Sequence, residues 1–132
     1  MIGLDTNVLV RYITQDDKKQ SAIANRLIES LTVEVPGYIS LVSVIELVWV
    51  LSACYGSNKA ELCGVLEALL HTRELVVAEG EVVWKAIRLF KSSAAEDFAD
   101  CLIVCSANAA GCESVFTFDK NAAKYAGMRL AS

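Results

Sequence analysis

The chain has 132 residues, of which 55% are hydrophobic and 21% are charged, and its formal net charge is −4. This length suits one buried core, so we expect residues 1–132 to form a single domain. The negative charge excludes a protein that holds nucleic acid by a broad basic face, so any nucleic-acid chemistry must be local.

Cysteine and hydropathy patterns narrow the class of protein further. Five cysteines without a C-x-x-C pair, beside one histidine, argue against a disulfide framework and a zinc site. No apolar run approaches the about 20 residues of a membrane helix. Residues 1–5 lack the basic and apolar segments of an export signal. We therefore expect a cytoplasmic protein without a membrane span.

The chain begins with a predicted strand followed by two predicted helices. Residues 1–4 are apolar and end at Asp5, which places this acid at the carboxyl end of a strand. Thr6 and Asn7 are expected to cap a helix over residues 8–13. Residues 18–31 show apolar side chains at helical spacing on a polar segment, which predicts an amphipathic helix.

The middle of the chain predicts two apolar helices and a strand. Residues 36–37, Pro-Gly, interrupt the pattern, and residues 42–55 then form a nearly all-apolar helix that ends at Gly56. Residues 59–70 place leucines and a valine on one helical face. Residues 75–77, Leu-Val-Val, predict the next strand.

The last third repeats the alternation of helix and strand. Residues 82–91 and 97–110 are predicted helices, and residues 115–118 are a predicted strand that runs into Asp119. Residues 121–125 predict a short final helix. Alternating strands and helices imply an α/β three-layer sandwich, with a mostly parallel central sheet flanked by helices.

Several acids stand out against this predicted fold. Ligands of parallel sheets bind outside the carboxyl ends of the strands, which is where Asp5 and Asp119 are expected. Glu46 lies within the apolar helix 42–55, and a buried carboxylate needs a compensating cation or hydrogen-bond donors. The alternative for Glu46 is an arginine partner or an exposed helix edge. Asp119 alone would also suit a turn.

Asp97 and Asp100 are three residues apart and share one face of a predicted helix. Both are favoured near a helix N-terminus by the helix dipole, and Asp97 could simply be the cap. Asp100 lies deeper, beside an apolar run, and capping explains it less well. Together with Asp5, Glu46 and Asp119, Asp100 predicts a site for Mg²⁺ or Mn²⁺, which prefer carboxylate oxygens and support phosphodiester hydrolysis.

Four segments resemble the acidic motifs of PIN domains, in particular those of VapC-type toxins. They are IGLDTNVLV at 2–10, IELVWVL at 45–51, DFADCLI at 97–103 and FTFD at 116–119. The resemblance implies an Mg²⁺- or Mn²⁺-dependent endoribonuclease, the toxin of a type II toxin–antitoxin system. It assigns catalysis and metal binding to the acids Asp5, Glu46, Asp100 and Asp119, with Asp97 as a further metal ligand.

The same resemblance implies partners and supporting residues. Expected partners are an RNA substrate, a cognate VapB-type antitoxin and a second copy of the chain in a homodimer. The polar residues expected to support the acids are Thr6, Asn7 and Thr117. Basic residues near the acids, Arg11, Lys120 and Lys124, are candidates to guide RNA.

Two other functions remain open at this stage. A haloacid-dehalogenase-like phosphatase would also place an aspartate nucleophile after the first strand. Asn7 counts against it, because that class has a second acid two positions after the nucleophile. A non-catalytic receiver-type module expects paired acids at the end of the first strand, where this chain has Leu4 before Asp5.

Overall fold

A computed structural model describes residues 1–132. The chain consists of two compact units, Met1–Ala78 and Glu79–Ser132. Each unit combines parallel strands with helices, which confirms the predicted α/β class with a parallel sheet flanked by helices. The single domain over residues 1–132 stays a prediction. None of the helices combines the length and the apolarity that crossing a membrane requires.

The first unit contains three strands and four helices. They are β1 (Ile2–Gly3), α1 (Thr6–Thr14), α2 (Lys18–Glu29), β2 (Gly37–Ile39), α3 (Leu41–Tyr55), α4 (Lys59–His71) and β3 (Leu75–Val77). The strand order is β1-β2-β3 and both pairings are parallel, so β2 is the central strand. No strand was predicted at β2, because three residues beginning with glycine are too short to show a period of two.

Local sequence explains where these helices begin and end. The Ser40 side chain accepts a hydrogen bond from the backbone of Ser43 and so caps α3. Gly56 adopts a left-handed conformation, with φ of 65°, and ends this helix as predicted. Asn58 and Glu61 form a capping box at the start of α4. The predicted cap of α1 was wrong, because Asp5 is the N-cap residue and Thr6 already lies in the helix.

The second unit contains three helices and two short strands. They are α5 (Gly80–Ser92), α6 (Phe98–Ala109), β4 (Phe116–Thr117), α7 (Lys120–Tyr125) and β5 (Arg129–Leu130). Strands β4 and β5 are parallel, and Phe116 lies opposite Arg129. Strand β5 was not predicted. Helices α5 and α6 pack through Phe90 and Phe98, whose rings meet edge to face with centroids 5.6 Å apart.

Close packing at Gly37 generates a stability prediction. A Cβ atom at this position would lie 2.8 Å from a methyl group of Leu4 and 2.8 Å from one of Leu31. We expect Gly37→Ala to lower the free energy of unfolding by about 1–3 kcal/mol, because these buried side chains must move. Urea unfolding followed by circular dichroism measures the change.

Gly64 supplies the matched control. It lies within α4, and a Cβ atom there would meet nothing within 4 Å. Gly64→Ala should therefore stabilise the protein by about 0.5–1 kcal/mol, the usual gain of alanine over glycine in a helix. Equal effects of the two substitutions would contradict the packing assigned to Gly37.

Candidate active site

Asp5 occupies the first residue position before α1, just beyond β1. It is exposed, and its side chain makes no capping hydrogen bond to the helix. An aspartate at an N-cap usually accepts a bond from the first helical turn. Because Asp5 does not, both of its carboxylate oxygens stay outside the helix cap and are available to a ligand.

Thr6 links the first acidic motif to the second. Its buried hydroxyl donates a hydrogen bond of 2.7 Å to Oε1 of Glu46, which joins α1 to α3. The residue next to Asp5 therefore orients Glu46. This contact agrees with the supporting position predicted for Thr6, although its role in catalysis stays a prediction.

Glu46 is exposed, so the prediction of a buried carboxylate was wrong. Helix α3 turns Val44 and Leu47 into the core, while Glu46 shares the outer face with Val42 and Trp49. Because those two apolar residues are exposed, the sequence of α3 does not show the alternation of apolar and polar residues that an amphipathic helix has. The nearly all-apolar sequence therefore suggested that every side of this helix is buried. In the structure one side faces outward and carries Glu46.

The second unit carries three acids at the starts of helices. Asp97 is the N-cap of α6 and its Oδ1 accepts the backbone N–H of Ala99 at 2.9 Å. Asp100 lies in the first turn of the same helix and is half-buried. Asp119 caps α7, and its Oδ1 accepts the backbone N–H of Asn121 at 2.8 Å. In both caps the second carboxylate oxygen is left uncommitted by the capping bonds.

Thr117 stabilises the turn that presents Asp119. Its hydroxyl oxygen accepts the backbone N–H of Asp119 at 3.0 Å. Two of the three predicted supporting residues, Thr6 and Thr117, thus contact an acidic residue directly. Asn7 instead lines a pocket of about 240 Å³ formed with α2, near Arg11, and its predicted role stays untested.

The acids of the second unit share one pocket. An open cavity of about 280 Å³ is lined by Asp97, Asp100 and Asp119. Partial burial, and then repulsion from Asp97 and Asp119, raises the pKa of the Asp100 carboxyl above its usual value. A cation bound in this pocket would relieve that repulsion.

Among the other residues that line this pocket, two ionisable ones were not predicted. They are Glu96, which precedes Asp97 in the chain, and Tyr125, at the end of α7. The acidic pair 96–97 was the signal for Glu96. Nothing in the local sequence of Tyr125 separates it from an ordinary helix residue.

The donor atoms of these residues suit a hard divalent cation. Carboxylate oxygens are the ligands that Mg²⁺ and Mn²⁺ prefer, and the carboxylates of Asp97, Asp100 and Asp119 line this pocket. Within neither unit do three His, Cys, Asp or Glu side chains approach closely enough to hold a metal ion. The residues fit the metal by their chemistry, and metal binding itself remains a proposal.

Arg11 is engaged within the protein, which weakens its predicted role in guiding RNA. Its guanidinium lies 3.1 Å from Oδ1 of Asp16 and also bonds Gln20 and Tyr55. The hydroxyl of Tyr55 donates a further bond to Asp16. This bond is the largest of the effects that hold the pKa of Asp16 down at about 2.

Comparison with known proteins assigns the chain to a family. The PIN domain model matches residues 2–128, which includes all four acidic motifs and spans both units. The chain belongs to the PIN domain family. PIN domains are typically nucleases, so the match favours the nuclease hypothesis over the phosphatase and receiver alternatives. It is a match to the PIN domain in general and is not specific to VapC-type toxins. No curated protein and no solved structure matches the chain.

Asp100 generates a prediction about stability and pH. Its folded-state pKa is raised, so between the unfolded and folded values the folded protein binds more protons and stability falls as pH rises. Above the folded-state pKa the destabilisation is fully present. We therefore expect Asp100→Asn, which removes the charge, to unfold at a higher urea concentration than the wild type at pH 7.

That gain should disappear as the pH falls below the pKa of the unfolded aspartate, because the wild-type carboxyl is then protonated in both states. Glu113→Gln, an exposed acid that does not line the pocket, serves as the control and should leave the midpoint unchanged. A loss of stability in Asp100→Asn at pH 7 would contradict the repulsion inferred here.

Proposed function

We propose that this PIN domain is an endoribonuclease that depends on Mg²⁺ or Mn²⁺ and hydrolyses phosphodiester bonds of RNA in the cytoplasm. The observation that carries the proposal is the anionic pocket of Asp97, Asp100 and Asp119 in a chain of a nuclease family. Carboxylates that repel each other in a pocket lower the stability of a fold, and a bound cation would compensate their charge.

We assign metal binding and catalysis to Asp5, Glu46, Asp100 and Asp119, with Asp97 as a further ligand. A bound divalent cation would steady the charge of a phosphoryl group and lower the pKa of a water molecule. The chain's own contribution is to hold the carboxylates in place. Thr6 fixes Oε1 of Glu46, which leaves Oε2 for a cation or for a proton from water.

The toxin role and the protein partners belong to the same proposal. We infer a VapC-type toxin that forms a homodimer and is inhibited by a VapB-type antitoxin. Exposed apolar residues of α3, Val42 and Trp49, and the apolar pocket of α1 and α2 support surfaces for such contacts. The resemblance of the motifs to those of VapC-type toxins supports the assignment to a toxin.

A cleavage assay tests the enzyme activity. Purified protein with Mg²⁺ or Mn²⁺ should cut structured RNA, and a chelator should stop it. Asp5→Asn and Asp100→Asn should each reduce the rate at least about a hundredfold, because each removes a carboxylate that serves the reaction. Glu34→Gln and Glu113→Gln are matched controls on exposed acids of the two units and should retain activity.

The double variant tests whether both groups of acids serve one reaction. Residues that act as a unit are non-additive, so Asp5→Asn with Asp100→Asn should lose little more activity than either single variant. Expression of the wild type should arrest growth, and either substitution should relieve the arrest. A protein that cuts no RNA, with growth arrest unaffected by both substitutions, would exclude the proposal.

Thr6 provides a separate prediction about orientation. Thr6→Val keeps the size of the side chain and removes the hydroxyl that holds Glu46. We expect Mn²⁺ affinity and cleavage to fall about 10- to 100-fold, as for other residues that orient metal ligands. Thr6→Ser keeps the hydroxyl and should restore most of both. Equal losses in the two variants, measured by titration of Mn²⁺, would show that packing and not the hydroxyl matters.

A further inference from the structure

An exposed aromatic and basic cluster is formed by residues of β4, of β5 and of the bend that precedes the acid Asp119. Phe118 is 89% exposed and Phe116 is 63% exposed. The guanidinium of Arg129 lies 5.7 Å from the centre of the Phe116 ring, a contact built by the pairing of β4 with β5. We call Phe116, Phe118 and Arg129 the aromatic platform.

Both rings of the aromatic platform lie within three residues of Asp119 in the chain and remain exposed. Phe116 lies on β4, and Phe118 follows this strand at a bend directly before Asp119. Thr117 is less exposed than either ring and accepts the backbone N–H of Asp119. Thr117 thus stabilises the turn that presents the acid, while both rings remain open to solvent.

The local charge is opposite to that of the whole chain. Residues 116–132 contain three basic residues and one acid, a net charge of +2, whereas the protein carries −4. Lys120 and Lys124 are both exposed. The Nζ of Lys124 lies 5.2 Å from the ring centre of Tyr125, which lines the acidic pocket. Cations interleaved with aromatic faces complement phosphates and unstacked bases.

We propose that Phe118 stacks on an unpaired base of the RNA substrate, beside the phosphate held at the acids, while Phe116 and Arg129 bind the neighbouring nucleotide. The inference rests on the proposed ribonuclease function and specifies its substrate class. The Cα atoms of Phe118 and Asp119 are about 3.8 Å apart, so the stacked base belongs to the cleaved nucleotide or its neighbour. Bases inside a duplex are stacked on each other, so the substrate is a single-stranded or looped segment.

A protein partner fits the platform less well than RNA does. Protein interfaces bury contiguous apolar surface and are depleted in lysine at their centre. Here Arg129 lies over the ring of Phe116, Lys120 follows Phe118 by two positions in the chain, and both cations are exposed. A surface of isolated aromatic faces among cations is typical of single-strand binding.

Binding is measured apart from cleavage, in the Asp100→Asn protein with chelator present. A single-stranded RNA oligonucleotide that contains 2-aminopurine reports stacking through quenching of its fluorescence. We expect Phe118→Leu to abolish the quenching at one position and to weaken binding about 5- to 150-fold, because leucine has no aromatic face. Phe118→Trp should restore both. Trp84→Leu, which removes a partly exposed aromatic ring on α5, is the matched control and should bind normally.

Kinetics and salt dependence distinguish stacking from other roles. Stacking that is equal in the bound substrate and the transition state changes KM, so Phe118→Leu should raise KM and leave kcat nearly unchanged. Asp100→Asn should lower kcat instead. The slope of log affinity against log salt should be unchanged in Phe118→Leu and should fall by about 0.7 in Lys120→Gln, if that lysine contacts one phosphate.

Each result decides between the two proposals. RNA cleavage by the wild type with unchanged binding and KM in Phe118→Leu overturns the stacking role and leaves the ribonuclease function standing. Stacking on Phe118 without any cleavage supports the platform and overturns the ribonuclease function. Absence of both binding and cleavage overturns both. A Phe118→Leu protein with altered sedimentation mass and normal RNA affinity would assign the platform to a protein contact and overturn its role in stacking.

Discussion

Negative charge at the beginning of helices is the feature on which the proposed chemistry depends. Asp5, Asp97 and Asp119 are N-cap residues, and Asp100 lies in the first turn of α6. The positive end of the helix dipole favours a carboxylate there, typically by 0.3–1 kcal/mol, and offsets part of the repulsion between neighbouring acids. In a fold where parallel strands lead into helices, strand ends and helix starts coincide. Acids at these points are tolerated without a basic partner and remain available to a cation.

The acids differ in the hydrogen bonds that hold their side chains. Asp97 and Asp119 use Oδ1 for backbone N–H groups, so their position is set by the start of a helix. Asp5 makes no such bond, and Glu46 is held by the hydroxyl of Thr6. Partial burial and two acidic neighbours raise the pKa of the Asp100 carboxyl. Asp100→Asn is expected to gain stability and to lose activity. Both effects would have the same physical origin, because the charge of Asp100 destabilises the fold and serves the reaction.

The net charge excludes binding of RNA by a broad basic face, and the local distribution of charge allows a local contact. The chain carries −4, yet residues 116–132 carry +2. Attraction of a phosphate backbone falls off over about 10 Å at ordinary ionic strength, so charges near the bound strand matter more than distant ones. Stacking on aromatic rings adds affinity that does not depend on charge. An acidic protein can therefore bind a short single-stranded segment through a small platform, while long basic surfaces remain unnecessary.

Much of the fold and part of the site could be predicted from the sequence. Apolar spacing and cap residues are local properties, and they located every helix to within a few residues, including the ends at Gly56 and Asn58. The four acidic motifs led to the family that the comparison then showed. These features depend on neighbours within a few positions of the chain, which is why the order of residues is sufficient to determine them.

The tertiary structure decided the rest. Strands β2 and β5 are two or three residues long and are strands only because a partner pairs with them. The exposure of Glu46 depends on which side of α3 packs against the core, which an almost uniformly apolar sequence does not reveal. The bond from Thr6 to Glu46 joins residues 40 positions apart. The ring of Phe118 resembles a core residue in the sequence, and only the tertiary structure shows that it lies in solvent, directly before an acid. Each of these properties is set by contacts between distant segments, and so by the fold and not by the local sequence.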